Sequence, residues 1–89
     1  MIVPNDNVEK FEIVVVGHTD SRAVDSYNND LSAKRALVVA NYLTNKGYVV
    51  TENYGVGEKY PVNKNSDEKE RALNRRVEIF FRIYRKTYK

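Results

Sequence analysis

The sequence predicts an α/β domain of the α+β two-layer sandwich type, a mixed β-sheet with helices on one face, and three features carry that prediction. The unbroken apolar run Ile13–Val16 reads as a central strand buried on both faces. Ala36, Val39, Ala40 and Leu43 recur at the i, i+3, i+4, i+7 spacing of one buried helical stripe. Near the end, Val77, Ile79, Phe81 and Ile83 alternate with Arg76, Glu78, Arg82 and Tyr84, as in a strand with one face in water, and Phe80 breaks the pattern on the polar face. A chain of 89 residues holds one small domain. Its 42% apolar and 11% aromatic content suffices for a core, but with no cysteine it has no disulfide to widen a thin stability margin.

The whole chain, 1–89, is read as one domain: an opening loop at 1–9, a core at 10–84 and a basic tail at 85–89. Pro4 and the polar residues 5–7 keep the opening irregular, and the first strand is expected at 10–17. The Ser-, Asn- and Asp-rich stretch from Gly17 to Asp30 reads as a long loop. Asn29 or Asp30 can then cap a helix at about 31–45, stopped by Gly47. Tyr48–Tyr54 favours a strand parallel to the first, reached by a right-handed crossover and ended by Gly55 and Gly57. After a loop around Pro61, the acidic run Ser66–Glu68 opens a short helix ending near Leu73, and the last strand follows at Arg76–Tyr84.

Charge excludes more than it selects. Fifteen Lys and Arg against twelve Asp and Glu give +3, too little for a dedicated polyanion binder. No run reaches the roughly 18 apolar residues of a membrane span, and MIVPNDNVEK has neither the basic nor the apolar region of an export signal, so membrane contact is expected only through a part outside these residues. RIYRKTYK interleaves Arg82, Arg85, Lys86 and Lys89 with Tyr84 and Tyr88, a weak nucleic-acid signal that a solvated strand end explains equally well. His18 is the single histidine; with no cysteine a zinc site would need carboxylates for its other ligands, and no cofactor or metal is expected. Ser21, His18 and Asp20 are crowded into one loop without a nucleophile elbow, so His18 reads as structural and the chain as no enzyme.

Ligands of α/β sheets gather where strands open into loops, and here the first strand delivers His18, Thr19 and Asp20 beside the helix carrying Arg35. A cation in the first turns of a helix opposes the macrodipole and invites an anion. An ordinary Asp20–Arg35 ion pair, or a snorkelling arginine, accounts for the same residues.

The string GHTDSRAVDSYNNDLSAKRALVVANYL, followed by YGVGEKYP, Asn65 and RALNRRVEI, resembles the signature blocks of the OmpA-like domain, in order, from about Phe11 to Ile83. That family includes OmpA C-terminal domains, peptidoglycan-associated lipoproteins and MotB-type motor proteins. The resemblance implies non-covalent peptidoglycan binding through the diaminopimelate residue of the stem peptide, in the periplasm of a Gram-negative-type cell envelope. It assigns the ligand ammonium to Asp20 and the ligand carboxylate to Arg35, whose planar guanidinium grips two oxygens where lysine offers one point charge. By the same resemblance Thr19, Asn28 and Leu31 line the pocket, and Asn74, Arg75 and Arg76 lead into the last strand beside it. Each has a plain alternative: an Asx-turn for Asn28, core packing for Leu31, and for Arg76 a place in solvent by alternation, while Arg71 is read as bracing the loop by an ion pair.

This sequence departs from the family pattern in three places. It begins after the point where the family has one more strand and helix, which predicts an N-terminally truncated sheet, exposed Phe80, an unpaired edge and a two-fold dimer through the last strand or its exposed face. Ala23 or Val24 replaces a loop glycine, and Glu70 stands where glycine often precedes Arg71. The alternative function is therefore a protein-interaction or oligomerisation domain without wall binding.

Overall fold

The computed structural model describes residues 8–85, so most of the expected opening loop 1–9 and of the expected tail 85–89 lies outside it, while Val8 and Glu9 are strand and not loop, and Arg85 is strand and not tail. The chain runs β1 (Val8–Gly17), α1 (Asp25–Asn45), β2 (Val50–Gly55), α2 (Glu68–Asn74), β3 (Val77–Arg85). These form a mixed three-stranded sheet of order β2-β1-β3, with β1 parallel to β2 and antiparallel to β3. The central position of β1 explains its apolar run: Ile13 and Val15 face α1, and Val14 and Val16, also buried, face the opposite side under the side chains of their neighbours. On that opposite side Arg82 of β3 reaches Glu52 of β2 at 2.6 Å, a charged strap above Val14, whose pairing partners are Phe80 and Glu52.

The helical stripe forms as its spacing predicts. Ala36 and Ala40 close the core against Ile13 and Val15, with Phe11, Val39, Leu43, Tyr48, Val50 and Val77 packed around them. Gly47 adopts φ 94°, and the Tyr48 N–H turns back to the Leu43 carbonyl at 3.1 Å, which ends α1 as expected. Tyr48 itself belongs to this stop and packs on the core, so β2 starts at Val50.

The front of α1 differs from expectation. Residues 25–30 are not loop: the helix starts at Asp25, behind a Val24 that makes no side-chain cap. Asn28 is not free to terminate it, because its amide donates to the carbonyls of Asp20 (3.2 Å) and Ala23 (3.1 Å) and ties the first turn to the loop before it. Asp25 supplies the first-turn negative charge that the dipole favours. Arg35 consequently sits in the middle of a 21-residue helix, far beyond the first turn where the dipole acts, and the dipole argument for an anion at Arg35 is withdrawn.

Two glycines set the height of α1 above the sheet. Gly17 and Gly55 are partners across the parallel pair, at the strand ends where α1 crosses. A Cβ at Gly17 would fall on the Ser32 carbonyl, and one at Gly55 on the Ala33 amide and Ser32 side chain. The helix backbone therefore rests on the sheet backbone here, and the fully buried Ser32 hydroxyl uses the proximity to accept from Gly57 N–H (3.0 Å) and donate to the Asn29 carbonyl (2.9 Å). Gly55→Ala is expected to lower stability by about 1–3 kcal/mol, the cost of overpacking a site with backbone on both sides. A chemical-denaturation midpoint equal to wild type would contradict this close approach.

α2 starts at Glu68, where Asp67 caps it by accepting from the Glu70 N–H (2.9 Å) and the Glu70 carboxylate accepts from the Ser66 N–H (2.9 Å). Glu70 thus has a local role in place of the glycine. Among the described residues α2 does not pack on the sheet or on α1; ion pairs of Glu68 with Arg22 and of Arg75, just after the helix, with Asp20 link it to the loop that follows β1.

Candidate functional site

Three backbone bonds gather the loops at the carboxyl end of β1. His18 N–H donates to the Arg76 carbonyl (2.8 Å), Thr19 N–H to the Gly57 carbonyl (2.9 Å), and Val56 N–H to the Gly17 carbonyl (3.1 Å). With α1 pressed down at Gly17 and Gly55, this leaves a cleft of about 350 Å3 between the β1 exit, the first three turns of α1 and the segment after α2. Of the residues named from sequence, Thr19, Asp20, Asn28, Leu31, Arg35 and Arg75 line it, joined by Arg22, Ala23 and Tyr27.

Asn74 does not line the cleft. Its side chain is fully buried and points into the loop before α2, accepting from Val62 N–H (2.7 Å) and donating to the side chains of Asn63 (2.7 Å) and Asn65 (2.8 Å). That bond holds Asn65 in its left-handed conformation, φ 59°, which a non-glycine residue adopts at a cost. Arg76 does not point into solvent either. It donates to the Tyr60 carbonyl (3.0 Å) and the Glu78 carboxylate (3.2 Å), because its position precedes the regular alternation of β3.

Asp20 is the most engaged group of the cleft. Its Oδ2 accepts from Arg75 Nη1 (2.8 Å) and from Arg22 Nη2 (2.9 Å) and Nε (3.1 Å), and its Oδ1 accepts the Arg22 N–H (3.0 Å). Burial pushes this carboxyl up, but the bonds from Arg22 and Arg75 outweigh burial and hold it far below the usual carboxylate range. Arg75 passes on to Glu68 (2.6 Å), which Arg22 (3.5 Å) and Arg71 (3.4 Å) also approach, so Arg71 does form an ion pair, with its own helix. The hydrogen bond from Arg75 leads the causes that hold Glu68 below its ordinary value.

Arg35 is the opposite case. It is half-buried in the cleft wall, and among the described residues it makes no hydrogen bond or ion pair, so the ordinary Asp20–Arg35 bridge does not form. Three guanidiniums face one carboxylate in the cleft, Glu68 beside it compensates a second, and Arg35 is left as the uncompensated charge. Thr19 is 4% exposed and its hydroxyl has no partner among the described residues.

His18 lies beneath the site, 3% exposed, with Nε2 against the Glu78 carboxylate. Desolvation first, then Arg76, lowers its pKa despite Glu78, so the ring is neutral at pH 7. No three His, Asp or Glu side chains converge among the described residues.

Sequence reasoning missed Arg22, Ala23 and Tyr27. Arg22 was a basic residue in a loop of unknown path, and only the Asp20 turn brings its main chain and side chain to the same carboxylate.

A mixed α+β module with a cationic, aspartate-bearing cleft at the end of its central strand is the class defined by this fold and site. The chain belongs to the OmpA family, whose pattern it matches over residues 3–75. It is 44% identical over 69 residues to outer membrane protein A of Bordetella avium, a match covering 75% of this chain and 36% of that protein. The fold superposes on the peptidoglycan-associated lipoprotein from Burkholderia pseudomallei with a TM-score of 0.75 and 33% identity, over 81% of this chain and 63% of that one. It also superposes on the cell wall anchor of the T6SS from Pseudomonas aeruginosa with a TM-score of 0.69 and 34% identity, over 89% of this chain and 57% of that one. The chain thus spans less than two thirds of each of these relatives.

Proposed function

We propose that this chain is a non-catalytic module that binds peptidoglycan in the periplasm and anchors a cell-envelope protein to the wall, with the diaminopimelate residue of the stem peptide as its ligand. The observation that carries this reading is that Arg35, without a hydrogen bond or ion pair among the described residues, lines the same cleft as Asp20. A zwitterionic side-chain end matches that arrangement: its carboxylate takes the guanidinium in two parallel bonds, and its ammonium takes the lone pair left on Asp20 Oδ1, whose only bond among the described residues is from a backbone N–H. The Thr19 hydroxyl is a further unused polar group of the cleft. Two of the structural relatives, a peptidoglycan-associated lipoprotein and a cell wall anchor, support the same reading.

Co-sedimentation tests it. The purified chain is expected to pellet with sacculi whose stem peptides carry diaminopimelate, and to be released by free diaminopimelate. Equal binding to sacculi carrying lysine at that position would refute the ligand assignment. No binding to either would favour the interaction-domain alternative.

A further inference from the structure

Asp20, the carboxylate proposed to meet the ligand ammonium, is only 5% exposed, so a ligand reaches it only after a covering group moves. The main chain around it is not that group. Thr19 N–H is bonded to the Gly57 carbonyl (2.9 Å) and Arg22 N–H to Asp20 Oδ1 (3.0 Å), while Asn28 donates to the carbonyls of Asp20 and Ala23 on either side of the turn. Nor is it Arg75, which is 26% exposed and clamped between two carboxylates, Asp20 at 2.8 Å and Glu68 at 2.6 Å. Arg22 differs on both counts. Its side chain is 55% exposed, and apart from Asp20 the one carboxylate it approaches among the described residues is Glu68, at 3.5 Å.

We propose that Arg22 is a displaceable cover: its guanidinium stands on Asp20 where the ligand's ammonium would, and an arriving ammonium turns it out toward Glu68. The inference rests on the reading of the cleft as a site for a zwitterionic side-chain end. Like replaces like in this exchange. A nearly buried carboxylate is costly to strip of its cations, so the cover leaves only when another cation takes its place, and a ligand without one leaves it shut. Asp20 thereby selects for a positive charge instead of merely attracting it. The released guanidinium also has an acceptor within reach. Glu68 Oε2 holds only long contacts, 3.5 Å from Arg22 and 3.4 Å from Arg71, because Arg75 sits on Oε1. With the turn backbone held, the motion is a rotamer change of one exposed side chain, fast against binding.

The test follows the Arg22 Nε–H signal in nitrogen-15 NMR spectra of the chain titrated with free diaminopimelate. In the wild type this N–H donates to Asp20 Oδ2 (3.1 Å), and at saturation its signal should move to the position of a solvated arginine. Pimelate, the dicarboxylate of the same length without amines, should leave it in place. Arg22→Gln should bind diaminopimelate about two- to fivefold more tightly, the worth of an exposed ion pair that no longer has to be broken. A thermal melt checks that this variant keeps its fold; if it does not, the wild-type titration decides alone. A signal unmoved at saturation, an equal shift with pimelate, or unchanged or weaker binding by folded Arg22→Gln overturns the cover. Failure of the wild type to bind diaminopimelate at all refutes the ligand assignment instead, and the cover falls with it.

Discussion

Arg35→Ala is expected to weaken retention on diaminopimelate-containing sacculi about 10- to 100-fold, the loss of a charge-assisted pair worth about 1.5–3 kcal/mol, while leaving thermal stability close to wild type. The two halves of that expectation have different origins. Binding falls because Arg35 is the one cleft cation without an intrachain bond among the described residues, hence the one free to meet a carboxylate. Stability persists because no folded-state ion pair is broken. Arg35→Lys should lose nearly as much, since an ammonium cannot reproduce two parallel bonds. Binding isotherms and thermal melts on the three proteins check this; undiminished affinity in both variants would reduce the interaction to general charge attraction.

Asp20 behaves differently. Asp20→Asn should abolish binding and also destabilise the fold by about 2–3 kcal/mol, less than the full cost of breaking a buried pair because Arg22 is half in water. The substitution keeps the shape but leaves Arg22 and Arg75 facing an uncharged amide that presents donors to donors. The effect has a definite pH dependence. Arg22 and Arg75 depress the Asp20 pKa in the folded state below its unfolded value of about 3.9, so its stabilisation is complete above that value and is lost as pH falls through the folded pKa. The stability gap between wild type and Asp20→Asn should therefore be constant from pH 7 to about 5 and close only in strong acid. A gap that closes near pH 6, or is absent at pH 7, would mean that this network does not hold the loop.

Sequence alone determined the elements whose signals are local. An apolar run and a 3.6-residue stripe each report which face of one element is buried, and a two-residue alternation reports a strand, so β1, the body of α1 and β3 were legible within a residue or two, although the apolar row Ile79, Phe81 and Ile83 of β3 is exposed among the described residues and not the buried face that the alternation predicted. Six of the seven residues named for the site line one cleft. Long-range contacts decided the rest. Residues 25–30 carry loop-forming side chains, yet they are helical because Asn28 spends its amide on carbonyls upstream, a bond between two segments whose approach no spacing reveals. Asn74 left the cleft for the same kind of reason, its amide being consumed by three residues of a loop nine to twelve positions away. The partner of Asp20 was decided in the same way. The sequence offered Arg22, Arg35, Arg71, Arg75 and Arg76 as cations of equal charge, and only the helix height fixed by Gly17 and Gly55, with the turn after Asp20, brought Arg22 and Arg75 into contact and kept Arg35 free. Burial patterns are written residue by residue along the chain, whereas ion-pair choice depends on ångström distances between segments, which only the folded backbone sets.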